Sequence, residues 1–230
     1  MKQHFTGFFN RDFTTIPWVS YLSIIACIGI FFVLVAKNDY ESWETVSKFG
    51  YLPAVSIWGG AYGGLLTSVF VHFDLWHVAF NVYWLWALGS RLERAIGSLP
   101  FLVFFVVSAF VSSSFQLAVP DDTGIGASGV VYAIFGFMWP TRHRYSNFKE
   151  ILDVRTIQIF VIWLVGCIIV TYLQIWYIGN AAHISGLLFG GAVAGVFVLQ
   201  SKQGLSLSGL VVLVVLSIIP LFWCPWSTAW

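Results

Sequence analysis

The sequence predicts an all-α, polytopic membrane helix bundle. Three observations carry that expectation: the composition, a series of apolar segments long enough to cross a bilayer, and the sidedness of the basic residues. Of 230 residues, 59% are hydrophobic and only 9% are charged, and the mean hydropathy is +0.85. That is far from the makeup of a soluble domain. A formal net charge of +1 without any basic run gives nucleic acid nothing to hold, so the expected surroundings are the lipid bilayer. Cys27, Cys167 and Cys224 lie in or beside apolar segments, where a cysteine acts as a small hydrophobe and not as half of a disulfide.

About 20 apolar residues are needed to cross the hydrocarbon core. On that measure helices are expected near 17–36, 75–95, 98–118, 126–140, 155–177, 181–200 and 205–223. The first has no small-residue cleavage pattern after it and is long for a signal segment, so it reads as a retained helix. The fourth, at about 15 residues, reaches only about 22 Å, so its start belongs below the membrane surface with a loop dipping in to meet it. The stretch from Lys37 to Asp74, with Tyr51, Trp58 and Tyr62 scattered through it, reads as an interfacial or re-entrant outer loop. Neither an internal repeat nor a low-complexity linker is evident.

With the N-terminus in the cytoplasm, Lys2, Arg11, Arg91, Arg94, Arg142, Arg144, Lys149, Arg155 and Lys202 lie inside and only Lys37 and Lys48 outside, nine against two. The positive-inside bias therefore predicts a cytoplasmic N-terminus. The second, fourth and sixth helices then run in the same direction, so equal depth along each chain is equal depth in the membrane.

The starts of those three helices carry the polar residues. The second opens with "HFDLWHVAFN", placing His77 and Asn81 on one helical face; the fourth opens with Ser128; the sixth has His183 in its first turn. Each alone has an ordinary reading, an interfacial histidine or a serine bonded back to its own helix. Together at one depth, where polar groups are costly, they point to function. Helix six carries Ala182, Gly186, Gly190 and Ala194 at steps of four, and helix four carries Gly129, Ala133 and Gly136, small residues that let two helices approach closely. Close contact there would bring the Ser128 hydroxyl to the His183 imidazole. A serine needs such a base to become a nucleophile. The backbone N–H of Ser128, the Asn81 amide and the His77 ring are the donors available to a developing oxyanion. Asp74 and Glu93, near opposite ends of helix two, are poorly placed to orient His183, so a dyad is expected. The soluble nucleophile elbow G-x-S-x-G is absent, since Val130 stands two after Ser128.

Three of these stretches resemble motifs of the rhomboid intramembrane serine proteases: "GIGASGVVYAIFG" their nucleophile motif, "HISGLLFGG" their base motif, and "HFDLWHVAFN" their oxyanion segment. The resemblance covers roughly residues 60 to 200. It implies a six-helix rhomboid-like core with a Ser128/His183 dyad, His77 and Asn81 at the oxyanion, no metal or cofactor, and hydrolysis of transmembrane protein substrates near their outer ends. It also implies that Tyr132 packs against the catalytic imidazole. Ser108, Ser112 and Gln116, four apart on helix three, are similar to a water-retaining cluster of the family, although plain interhelical hydrogen bonding explains them as well. Many members carry a Trp-Arg pair where Gly63 and Gly64 stand, which puts the anchoring of the outer loop in question. The chain divides accordingly into a cytoplasmic segment 1–16, the core 17–200 with outer loop 37–74, and a seventh transmembrane helix and tail 201–230, like the extra span of some members.

Two other classes compete. A catalytically silent rhomboid-like protein would hold membrane helices in the same groove, but such relatives usually lack the serine or the histidine. A transporter would show paired broken helices or inverted repeats, which are not found. A prokaryotic plasma membrane is the expected location, since no Arg-rich transit segment is evident.

Overall fold

A computed structural model describes residues 16–37, 42–119, 124–198 and 203–222. The expectations for segment 1–15 and for Lys202 and Cys224 lie outside these. In chain order the helices are α1 (Trp18–Lys37), then α2 (Trp43–Ser47), α3 (Ala54–Trp58) and α4 (Gly64–Thr67) in the outer loop, with a 3-10 turn at Ser68–Phe70. There follow α5 (Leu75–Trp84), a π turn (Leu85–Gly89), α6 (Ser90–Ile96), α7 (Ser98–Leu117), α8 (Ser128–Thr141), α9 (Ser146–Ile151), α10 (Val154–Tyr172), α11 (Asn180–Phe197), α12 (Gln203–Ile218) and a 3-10 turn at Ile219–Leu221. Strands are absent among the described residues. Five of these elements are long and apolar enough to cross a membrane, and the fold is the expected all-helical membrane bundle.

Two features of the predicted spans differ in detail. The chain bends by 100° between Gly64–Phe70 and Leu75–Ile96, just before the second span, and that span carries a π turn in mid-length. The fifth ends at Tyr172, five residues before the apolar pattern does. There the Thr171 hydroxyl donates to the Trp176 carbonyl and accepts from the Ile178 N–H, offering the backbone an alternative to helix, and Gln174 turns the chain at φ 58°. Hydropathy does not register either event.

α8 is the centre of the bundle. Every residue from Gly129 to Met138 is buried, as a helix apolar all round must be. At 14 residues it spans about 21 Å, short as expected. A Cβ on Gly186 would run into the Gly129 carbonyl, one on Gly190 into the Ala133 carbonyl, and one on Gly136 into the Leu187 carbonyl. From Gly129–Gly186 to Ala133–Gly190 the contact advances four residues on each helix, so α8 and α11 run parallel with backbones in contact, and only glycine fits.

At the opposite end, buried Glu93 caps α1. Its carboxylate accepts from the Val19 N–H (3.0 Å), the Ser20 N–H (2.8 Å), the Ser20 hydroxyl (2.7 Å) and the Ser98 hydroxyl (2.7 Å). First-turn N–H groups of α1 otherwise have no acceptor, and the negative charge suits a helix N-terminus. Glu93→Ala is expected to cost at least about 3 kcal/mol, the weight of one or two hydrogen bonds to a charged group. Thermal unfolding in detergent checks this, and an unchanged Tm would remove Glu93 from the fold's main ties. Asp153 plays the corresponding part for α10: it accepts from the Thr156 N–H at 2.8 Å, which holds its carboxyl below the ordinary value.

Candidate active site

The site forms where the starts of α5, α8 and α11 meet. The approach to α8 needs glycine twice, since Gly124 (φ 69°) and Gly126 (φ 88°) lie in the left-handed region. Gly126 is also pressed against imidazoles, because a Cβ there would collide with the His77 ring and crowd Nε2 of His72. Its N–H donates to the Ser68 carbonyl at 3.1 Å. This pins the loop to the outer segment two residues before Ser128.

Ser128, first residue of α8, has its Oγ 2.8 Å from His183 Nε2. The small-residue contact between α8 and α11 thus brings the two side chains into hydrogen-bond reach. Nδ1 of His183 has no partner among the described residues. In the neutral tautomer with its proton on Nδ1, the ring accepts the Ser128 proton at Nε2, and no third side chain fixes that tautomer. Ring packing supplies the orientation: Tyr132 lies over His183 with centroids 4.8 Å apart and 33° between planes. Tyr132 is held in turn by its hydroxyl, which donates to the Phe160 carbonyl at 3.2 Å.

Asn81 and His77 face the same cavity, of about 870 Å³, which Ser128, Tyr132, Cys167 and His183 also line. Neither has a hydrogen bond to Ser128 among the described residues. One Asn81 Nδ2 hydrogen goes to the His77 carbonyl at 3.0 Å; an amide has a second. Sequence reasoning does not single out His72. It is fully buried, its ring lies 4.8 Å from that of His77 at 67°, its Nδ1 is 3.2 Å from the Phe70 carbonyl, and its Nε2 is without a partner among the described residues. It precedes α5 and stands five residues before His77, a spacing that shares no helical face. Only the bend of the chain before Leu75 brings the two together.

On α7 the predicted polar residues are buried but differently engaged. The Ser108 and Ser112 hydroxyls donate to their own helix, at Phe105 and Ala109. Gln116 reaches across: its amide donates to the Tyr177 hydroxyl and its carbonyl accepts from the Ala182 N–H, both at 3.3 Å. It therefore braces the first turn of the helix that carries His183. Glu93 lies at the far end of its span, as expected, and no three His, Cys, Asp or Glu side chains among the described residues converge as metal ligands.

Residues 57–201, which hold all these groups, match the rhomboid domain. The chain belongs to the rhomboid family. It is similar to rhomboid protease GlpG of Salmonella choleraesuis (strain SC-B67), 30% identical over an alignment of 198 residues that covers 80% of this chain and 65% of that relative. The protein of the same name from Yersinia pseudotuberculosis (serotype I, strain IP32953) is 32% identical over 170 residues, 73% of this chain and 58% of the relative. This rhomboid thus spans about three-fifths of the length of those curated relatives.

Proposed function

We propose that this rhomboid is an intramembrane serine protease that hydrolyses peptide bonds of transmembrane protein substrates near the outer membrane face, using Ser128 and His183. The observation that carries the reading is the 2.8 Å contact between Ser128 Oγ and His183 Nε2. As Oγ attacks the substrate carbonyl carbon, Nε2 takes its proton, and the carbonyl oxygen becomes an oxyanion. The free N–H groups of the first turn of α8, the second Asn81 N–H and the His77 ring are the donors at hand. His183 then returns the proton to the departing amine, leaving an acyl-serine. Water, drawn from the polar side of α7 at Ser108, Ser112 and Gln116, attacks the acyl carbon as it gives a proton to His183, which passes that proton to Ser128 Oγ as the acid departs. Every step is supplied by side chains and backbone, with no cofactor. The basic-residue bias supports a cytoplasmic N-terminus, and in a prokaryotic inner membrane the site then opens toward the outer face.

The test is a single-span substrate with small residues in its outer third, co-reconstituted with the protein in liposomes. Cleavage within that third is expected. Substrate that copurifies uncut would favour a silent helix-binding protein instead.

Asn81→Ala separates an oxyanion donor from a helix brace. If the second N–H acts on the oxyanion, kcat per folded molecule falls by up to about 10²-fold to 10³-fold with KM little changed. A lowered Tm with normal kcat would leave Asn81 only its bond to the His77 carbonyl.

A further inference from the structure

The outer loop lacks side chains at two successive positions, and at one of them a side chain would have to displace its neighbours. A Cβ on Gly64 would collide with Ile57 and crowd Leu52, while Gly63 faces open space. The loop's fastening comes instead from the other end of the chain. Trp58, last residue of α3, donates its indole N–H to the Pro220 carbonyl at 2.9 Å across 162 positions of sequence. Leu221, 7% exposed, joins Ala54, Ile57, Leu65 and Leu117 in a hydrophobic cluster separate from the main core. The burial pattern of the seventh helix agrees. Along α12 only Ser217 is buried, whereas the turn that follows buries both Pro220 and Leu221.

From this cluster the path to the site is short. Leu65 lies in α4, which runs directly into the 3-10 turn of Ser68, and the Ser68 carbonyl receives the Gly126 N–H. We propose that the end of the seventh helix anchors the outer loop, and that through Ser68 the anchored loop positions the segment that carries Ser128. Trp58 and Leu221 are positioning residues, remote from the reacting atoms. The link to turnover rests on the protease reading; the anchoring does not.

The experiment uses full-length Trp58→Phe, which keeps the aromatic bulk and removes the donor, Leu221→Ala, and their combination. Leu207→Ala, on the half-exposed face of α12, is the control. Hydrogen exchange is followed by mass spectrometry in nanodiscs, beside kcat and KM on the folded fraction. Both single variants should speed exchange in residues 54–70 and 124–128, and the double variant should not exceed the stronger single by the product of the two, since both cut one tie. Leu207→Ala should leave exchange unchanged. kcat should fall roughly fivefold, the weight of one neutral hydrogen bond, with KM nearly constant; a purely stabilising contact would move Tm and leave kcat per folded molecule alone. Unchanged exchange at 54–70 in both variants would show that the helix end does not hold the loop. Faster exchange at 54–70 with 124–128 and kcat unaffected would show that the loop does not position Ser128. Absence of Ser128-dependent turnover in the unsubstituted protein would remove the protease reading, while the exchange measurements would still decide the anchor.

Discussion

Ser128→Ala and His183→Ala should each abolish turnover of a transmembrane substrate, with a loss of about 10⁴-fold or more, while the protein still inserts and folds. The geometry leaves no substitute for either group. Among the described residues, His183 Nε2 is the one base within hydrogen-bond distance of Ser128 Oγ, and its Nδ1 has no partner through which another side chain could take over. Groups that act as a unit are strongly non-additive, so the double variant should be no slower than the worse single. Stability should change little in Ser128→Ala, since one hydroxyl is lost from a half-buried position. Turnover by either purified variant within tenfold of the unsubstituted protein would remove that residue from the chemistry.

The second large effect lies in the packing that brings Ser128 and His183 together. Gly186→Val should lower both Tm and activity severely, because its Cβ would meet the Gly129 carbonyl. That atom is backbone, one residue from Ser128, and cannot swing aside. Overpacking a tight contact costs typically 1–3 kcal/mol, and about 3 kcal/mol or more is expected where the obstacle is main chain. Forcing α8 and α11 apart also lengthens the Ser128 to His183 contact, so kcat should fall beyond the loss of folded protein. Gly166→Ala is the matching control, as a Cβ at Gly166 has nothing within 4 Å. A Gly186→Val protein with ordinary Tm and kcat would show that the two backbones are not in contact.

Much of this architecture is legible in the amino-acid sequence. Apolar runs locate the spans because a bilayer demands about 20 such residues, and positions four apart reveal the glycine faces of α8 and α11 because a helix repeats every 3.6. Depth matching puts Ser128 opposite His183, and the two side chains stand 2.8 Å apart. What the sequence conceals depends on contacts between distant positions. His72 stands beside His77 only because the chain bends before α5. Glu93 is too far from His183 to orient it, as its position in the second span implies, yet its task, capping a helix 73 positions away, has no local signature. The outer loop shows no period at all, and its small helices are held by tertiary contacts, Trp58 to Pro220 among them. The π turn at Leu85–Gly89 breaks no apolar pattern and so leaves no trace in hydropathy.

The most direct test of the central claim is a serine-directed fluorophosphonate, applied to the protein in nanodiscs and followed by peptide mass mapping. If Ser128 is a nucleophile activated by His183, the phosphonyl adduct appears on Ser128 alone, vanishes in Ser128→Ala, and forms far more slowly in His183→Ala. An adduct on another residue, or a labelling rate indifferent to the loss of His183, would contradict that claim.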